Sequence, residues 1–388
     1  MLKKLLIFLI FVVAVGAIFF SIPKPETEAV VVVKNEEVQV VPDEVSLQDK
    51  IDQLFVIGFR GSSLEKAPEL KRALSETNLG GVIFFDYDTP TKKYNRNILS
   101  EKQLVSLIKE IKSSAKSPIF ISVDEEGGKV SRLKRLSGYK VTPTAQVLGT
   151  YSDTKVTSIA EVLGKKLFDL GFNVDFAPVL DVNVNKKSPA IGAFGRSFSS
   201  LQSVVSAKGI AFSKGLENSS IVAVGKHYPG HGSAVSDTHK GLADITKTYK
   251  DYESVPFEKA CEAGIPSIMI GHLFDSNVDK DFPATLSKKH IDKLKGIGCD
   301  TQILITDDID MKALTSQYPR HDILVNAFNA GIDIVIASNN ISTYKPNQYF
   351  TDRKIVLDAV EKGEISIGRI NEAYEKVVAL KEKYKIVK

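Results

Sequence analysis

Residues 222–232 read Val222-Ala223-Val224-Gly225-Lys226-His227-Tyr228-Pro229-Gly230-His231-Gly232. The run Val222–Gly225 suits a short buried strand, and Pro229 with the two glycines after it forbids a helix, so the segment reads as a strand entering a shaped loop. Two ionisable side chains, Lys226 and His227, stand where the strand ends. The same pattern recurs outward in both directions. Apolar runs at Leu54–Gly58, Gly81–Phe85, Ile119–Val123, Val174–Leu180, Ser267–Ile270, Ile303–Thr306 and Asp333–Ala337 read as further strands. Amphipathic stretches alternate with them, among them Leu104–Lys116, Ser158–Leu170, Val204–Leu216, Phe257–Ala263, Lys288–Lys295, Ile323–Ala330, Ile355–Lys362 and Ile370–Lys383. This alternation predicts an α/β fold with parallel strands, and eight strands match a (β/α)8 barrel. A doubly wound open sheet is the alternative, but no Gly-x-Gly-x-x-Gly comes after the first strand to support a dinucleotide site.

The residues just past each strand carry more information. Asp86, Asp124, Asp181, Lys226 with His227, His272, Asp307 and Asn339 come after the second to the eighth apolar runs. One polar strand end means nothing. Seven of eight predict a pocket at the C-terminal face of a barrel, where strand ends converge.

Composition narrows the classes. Hydrophobic residues at 43% and charged residues at 25% exclude a disordered or fibrous chain, and Lys plus Arg at 51 against Asp plus Glu at 47 excludes a strongly basic nucleic-acid binder. Cys261 and Cys299 are too few for a disulfide framework or a thiolate metal cage. Cys261 sits in a helical pattern and reads as a buried free thiol, a single bridge being the alternative. At the N-terminus, Lys3 and Lys4 precede an uncharged run from Leu5 to Ile22, closed by Pro23. The charge order sends the remainder of the chain across the membrane. Residues 1–22 are expected to be a signal anchor or signal peptide, 23–45 a linker rich in Glu, Val and Pro, and 46–388 the barrel.

A metal reading of the loop takes His227, His231 and His239 as ligands. Lys226 would repel a cation and the loop lacks helical i, i+4 geometry, so no metal site is expected. The loop together with Asp237-Thr238-His239 instead resembles glycoside hydrolase family 3, in particular its single-domain bacterial β-N-acetylglucosaminidases (β-N-acetylhexosaminidases). Further segments fit in the same order: Gln53–Gly61, Asp124-Glu125-Glu126-Gly127-Gly128, Asn173–Val182, Gly195-Arg196-Ser197-Phe198, Pro283–Ser287 and Thr306-Asp307-Asp308-Ile309-Asp310-Met311. The resemblance spans about residues 46 to 388.

The resemblance implies a retaining glycosidase with Asp307 as nucleophile, forming a glycosyl-enzyme intermediate, and His239 as acid/base oriented by Asp237. Each role suits the residue's chemistry. Strand alternation puts Ile303, Ile305 and Asp307 on one side and Asp308 on the other, so only one of the adjacent aspartates can face a given substrate atom. Asp308 or Asp310 fits the capping of a helix at Met311–Leu314 better than Asp307 does. A histidine titrates near neutrality, and Asp237 two residues away on an extended loop can hold its ring. Asp124, Arg132, Arg196, Lys226 and His227 are implied as the substrate-binding residues, with Gly127 and Gly128 admitting backbone close to the sugar. Asp124 and Glu125 alternatively form a solvated acidic turn, and Arg132 a helix-surface face with Lys129. The Gly232–Lys240 loop, small and polar, is expected to close over bound sugar.

The function implied is removal of terminal β-N-acetylglucosamine from cell-wall peptidoglycan fragments by an exported, membrane-anchored monomer. No cofactor, metal or nucleic acid is expected, and the partners are the saccharide and, through residues 5–22, the membrane. β-Glucosidase activity, phosphorolysis and a non-catalytic wall-binding barrel are the alternatives.

Overall fold

The computed structural model describes residues 45–387. The expected N-terminal apolar segment and the linker up to residue 44 lie outside the described residues. Among the described residues no helix is long and apolar enough to cross a membrane.

Eight parallel strands form one sheet: β1 (Phe55–Gly58), β2 (Gly81–Ile83), β3 (Phe120–Val123), β4 (Val174–Asp175), β5 (Val222–Tyr228), β6 (Ser267–Ile270), β7 (Ile303–Thr306) and β8 (Val335–Ala337). Neighbours keep chain order, β1 also pairs with β8, and an Ile305–Ile334 bridge joins β7 to the residue before β8. The sheet therefore curls into a nearly closed (β/α)8 barrel, as expected, and the open doubly wound sheet is excluded.

The helices between strands bury one stripe against the barrel. Glu101–Ser114 turns Leu104, Leu107, Ile108 and Ile111 inward, and the Ser100 hydroxyl accepts the Gln103 N–H at its start. Asp153–Leu170 begins under a Ser152 cap and ends at Gly171, whose φ of 99° is the left-handed turn that glycine favours. Between barrel and helices, Phe59, Phe84 and Phe172 stack edge to face with centroids 5.1 and 5.4 Å apart, each pair contributing about 0.5–1.5 kcal/mol beyond burial. The final helix, Ile367–Lys383, closes the opposite end of the barrel with a buried lysine. Lys381 Nζ donates to Gln53 Oε1, Gly80 O and Pro118 O at 2.7, 3.1 and 2.7 Å, just ahead of β1, β2 and β3.

Some boundaries differ from expectation for clear reasons. The β4 ladder stops at Asp175 rather than Leu180, because Pro178 has no N–H to give; a lone bridge from Val179 to Lys226 resumes the pairing. The helix Pro68–Glu76 was not foreseen, although Pro68 in its first turn and Glu69 behind it are start signals. The free-thiol reading of Cys261 is overturned. Helix Val255–Glu262 lies against the segment before β7, and Cys261 and Cys299 are bridged with Cα atoms 5.3 Å apart.

Candidate active site

At the C-terminal ends of the strands lies a cavity of 240 Å3. Asp124, Arg132, Arg196, Lys226, His227, His239 and Asp307 all line it, with Phe85, Phe176, Met269 and Ile336 as apolar walls. Of the expected site residues only Asp237 stands behind the wall, bonded to His239. A groove of 590 Å3 between helix Asp153–Leu170 and residues 137–143 is larger, but it holds none of these groups.

Lys226 and His227 share the cavity because β5 is irregular. Met269 pairs with Lys226 and Ile270 with Tyr228, leaving His227 as an extra residue. Such a bulge breaks strict alternation, so adjacent residues can both face inward. Asp181, after β4, accepts from the backbone N–H groups of His227 and His231 at 3.2 and 2.8 Å, and His227 Nδ1 lies 2.7 Å from its other oxygen. With Nδ1 protonated toward Asp181, Nε2 is left as an acceptor, 3.3 Å from Arg196 Nη2.

Around it runs a buried ion network. Lys226 Nζ meets Asp124 Oδ1 at 2.8 Å and Glu126 Oε1 at 2.7 Å. Arg196 donates through Nε and Nη2 to both Glu126 oxygens at 2.8 and 2.7 Å, and Arg132 Nη2 to Asp124 Oδ2 at 3.2 Å. Burial works against both carboxylates, but the cations win. Lys226 and Arg132 hold Asp124 well below the usual range, and Arg196 and Lys226 hold Glu126 at about 2. Fixed charges and hydrogen-bond donors of this kind recognise sugar hydroxyls by direction.

On the opposite side of the cavity stands Asp307. Its Oδ1 accepts the Asp308 N–H at 2.8 Å, and Oδ2 has no hydrogen-bond partner among the described residues. Burial would raise its pKa, but His272, His227 and His239 outweigh burial and lower it, so the group is ionised at neutral pH. Asp308 lines the cavity as well, so strand alternation, which ends with β7 at Thr306, does not part the two aspartates; what sets Asp308 apart is that it accepts the Ser338 N–H at 3.0 Å and the Ser338 hydroxyl. Neither Asp308 nor Asp310 caps the helix Lys312–Thr315, whose N-cap Met311 makes no side-chain bond. The capping expectation fails because both carboxylates are taken up elsewhere: Asp310 is paired with Arg320 at 2.8 Å.

His239 and Asp237 form the expected dyad. His239 Nδ1 lies 2.9 Å from Asp237 Oδ1, which also accepts the His239 N–H at 3.0 Å. Burial disfavours the imidazolium, yet the Asp237 bond and the charges of Asp307, Asp237 and Asp308 together raise the His239 pKa. Asp237 in turn is held at about 2, chiefly by its bond to His239. The loop is fixed at both ends. A Cβ on Gly232 would stand 1.6 Å from Val182 O, Ser233 N donates to Glu253 Oε2 at 3.1 Å, and Ala313 N donates to Thr238 O at 3.1 Å.

Two sequence alternatives and one expectation fail. Glu125 is buried, accepting from Arg132 N, Leu133 N and Tyr139 Oη, so it belongs to no solvated turn. Arg132 faces the cavity rather than a helix surface. Gly127 and Gly128, with φ of 93° and 57°, form the turn between Glu125–Gly127 and Val130–Ser131, and their missing Cβ atoms admit Thr142, Pro143 and Thr144 rather than sugar. Sequence reading gave Glu126 no role, weighed His231 only as a metal ligand, and counted Asp181 only among the strand ends. Glu126 was findable, since it shares a strand face with Asp124. His231 is buried at the cavity, and both its ring nitrogens lack hydrogen-bond partners among the described residues; burial, then neighbouring His227, pushes its pKa down to about 4.

The family model described as "Glycosyl hydrolase family 3 N terminal domain" matches residues 46–380. "Beta-hexosaminidase A" of Pseudoalteromonas piscicida is 29% identical over 343 residues, covering 81% of this chain and 55% of that protein. A "Beta-hexosaminidase" of Tolumonas auensis is 32% identical over 282 residues, covering 70% of this chain and 79% of that protein. Among solved structures, a glycoside hydrolase family 3 beta-N-acetylglucosaminidase from a Paenibacillus species superposes with a TM-score of 0.80 at 29% identity, covering 88% of this chain and 63% of that one. The chain thus spans little more than half the length of the first relative and under two thirds of the solved structure.

Proposed function

The chain belongs to glycosyl hydrolase family 3, and we propose that it is a retaining β-N-acetylglucosaminidase acting on cell-wall peptidoglycan fragments. The observation that carries the reading is the pairing, in one cavity, of an ionised Asp307 with a His239 ring held by Asp237. His239 Nε2–H gives its proton to the glycosidic oxygen as the bond to C1 breaks, and Asp307 Oδ2 bonds to C1. The leaving alcohol departs. His239, now neutral, takes a proton from water, and the resulting hydroxide attacks C1 and releases Asp307. Asp237 fixes the ring so that Nε2 faces the reaction and offsets the charge of the imidazolium.

Asp124, Arg132, Arg196, Lys226 and His227 hold the sugar hydroxyls in this reading. The wall-fragment substrate and an exported, membrane-tethered location rest on the N-terminal segment and the family. The Cys261–Cys299 bridge supports an oxidising compartment.

Release of p-nitrophenol from its β-N-acetylglucosaminide by the full chain, beside the β-glucoside and in phosphate-free buffer, tests the reading. Turnover of the acetamido sugar, lost in Asp307→Asn, is expected. Faster release of the glucoside, or turnover only after phosphate is added, replaces it with the β-glucosidase or phosphorylase alternative.

A further inference from the structure

The stretch that carries the His239–Asp237 dyad is tied to the barrel at one point. From Val235 to Leu242, among the described residues, almost every hydrogen bond and ion pair stays inside the stretch. Asp237 takes the His239 ring and N–H, Lys240 N donates to Asp237 O at 2.9 Å, and Ser236 Oγ to Leu242 O at 3.1 Å. The exception is the Ala313 N–H, which donates to Thr238 O at 3.1 Å. The next anchors lie outside: Asn185 Nδ2 donates to Ala234 O at 3.3 Å, and Ala243 and Asp244 pair with Leu273 and Phe274.

This single bond joins the two halves of the catalytic machinery. Thr238 stands between Asp237 and His239 in the chain. Ala313 lies in the first turn of the short helix Lys312–Thr315, on the loop that leaves Asp307. The path from Asp307 to that helix is pinned on both sides. Asp307 N donates to Ile270 O on β6 at 2.9 Å, Ile309 N to Ile336 O on β8 at 3.0 Å, and Met311 N to Asp308 O at 3.0 Å. First-turn N–H groups have no acceptor within their own helix, and Met311 at the N-cap offers no side-chain bond. Ala313 and Thr238 are both buried, so this N–H needs a protein partner, and the Thr238 carbonyl supplies it.

We propose that the Ala313 N–H is a positioning group for the reaction: through Thr238 it sets where the His239 ring stands relative to Asp307. The inference rests on the reading of Asp307 as nucleophile and His239 as acid/base, and it adds the contact that registers one against the other. Because a main-chain N–H does the work, the requirement at position 313 is for a residue other than proline.

Ala313→Pro removes that donor, and the first turn of a helix tolerates proline. Proton donation by a positioned group contributes about 100–10,000-fold, and a displacement of about 1 Å can cost about 100-fold. The readout is kcat/KM of the full chain, which reports the steps up to departure of the leaving group. It is expected to fall about 10–100-fold for an alkyl N-acetylglucosaminide, whose leaving group needs a proton, and less than about 3-fold for the nitrophenyl substrate. Lys102→Pro puts proline at the same position of helix Glu101–Ser114, where the exposed residue's N–H has no partner among the described residues, and should leave both rates unchanged. If Ala313→Pro does not fold, incorporation of lactic acid in place of Ala313 exchanges the N–H for an ester oxygen without added bulk, and the same split is expected. Equal losses on the two substrates, or no loss on either, would overturn the proposal. His239→Ala in the same assay separates the two failures. If it does not widen the nitrophenyl-to-alkyl ratio, the catalytic reading falls; if it does and the position-313 variant does not, only the positioning role falls.

Discussion

Replacing Glu126 by Gln would remove one negative charge from beneath two buried cations without changing the side chain's shape. In the structure Glu126 faces Arg196 through two bonds of 2.7 and 2.8 Å and Lys226 through one contact of 2.7 Å. The glutamine amide would turn a donor toward groups that are themselves donors. Whichever way the amide sits, its one oxygen still accepts from Arg196, but its NH2 group faces either Arg196 Nε or both Arg196 Nη2 and Lys226 Nζ, and the two cations lose the charge between them; Lys226 keeps Asp124 and Arg196 the Ala190 carbonyl at 2.9 Å. Breaking one partner of a buried pair costs about 3–5 kcal/mol. For a domain of about 340 residues the unfolding entropy is about 0.7 kcal/mol per kelvin, so the melting temperature should fall by roughly 4–7 °C. The loss should extend to binding, because Arg196 and Lys226 would no longer be aimed. Differential scanning calorimetry gives the first quantity, and KM for p-nitrophenyl β-N-acetylglucosaminide the second. A Tm within a degree of wild type together with an unchanged KM would refute the view that Glu126 anchors the sugar-holding cations.

Three further outcomes rest on the same geometry. The His239 pKa is raised and that of Asp307 lowered, so kcat/KM should fall on the alkaline side as His239 loses its proton above its ordinary 6.5, and on the acid side only below the ordinary carboxylate value of 3.8. Asp237→Asn removes the charge that favours imidazolium and should move the alkaline limb downward; a pH–rate profile with that limb in place would contradict the dyad. His239→Ala should cost least on substrates whose leaving group needs no proton, so the rate ratio between alkyl and nitrophenyl N-acetylglucosaminides should widen, and an equal loss on both would argue against proton donation. Cys261→Ser with Cys299→Ser opens a cross-link spanning 38 positions and should cost about 4 kcal/mol by loop-closure entropy, read as a shift of the urea midpoint.

Much of this site was legible because it is built from strand ends. The apolar runs located the face on which the ionisable groups meet, although alternation did not part Asp307 from Asp308, which both line the cavity just past β7. What alternation could not supply was the break in it. The bulge at His227 depends on the β5–β6 register, which one strand's sequence does not contain. Nor does sequence say which carboxylate meets which cation. Asp124 and Glu126 stood in the open as a motif, but that Arg196 would cross from the next loop to grip Glu126 depends on the folded path of residues 183–200. The Cys261–Cys299 bridge was hidden for a similar reason, since 38 positions of separation leave no local trace. Gly127 and Gly128 show the opposite error. A glycine near a site is easily credited to the ligand, when the hairpin's own turn and the nearby Thr142–Thr144 segment already require it.

The central claim is that Asp307 bonds to the sugar. Incubating the full chain with a slow donor such as 5-fluoro-N-acetylglucosaminyl fluoride, then digesting it and sequencing the modified peptide by mass spectrometry, tests that directly. One added fluorosugar is expected, esterified to Asp307 and absent from Asp307→Asn. An adduct on Asp124, Glu126 or Asp308, or continued turnover with inverted anomeric configuration and no adduct, would contradict it.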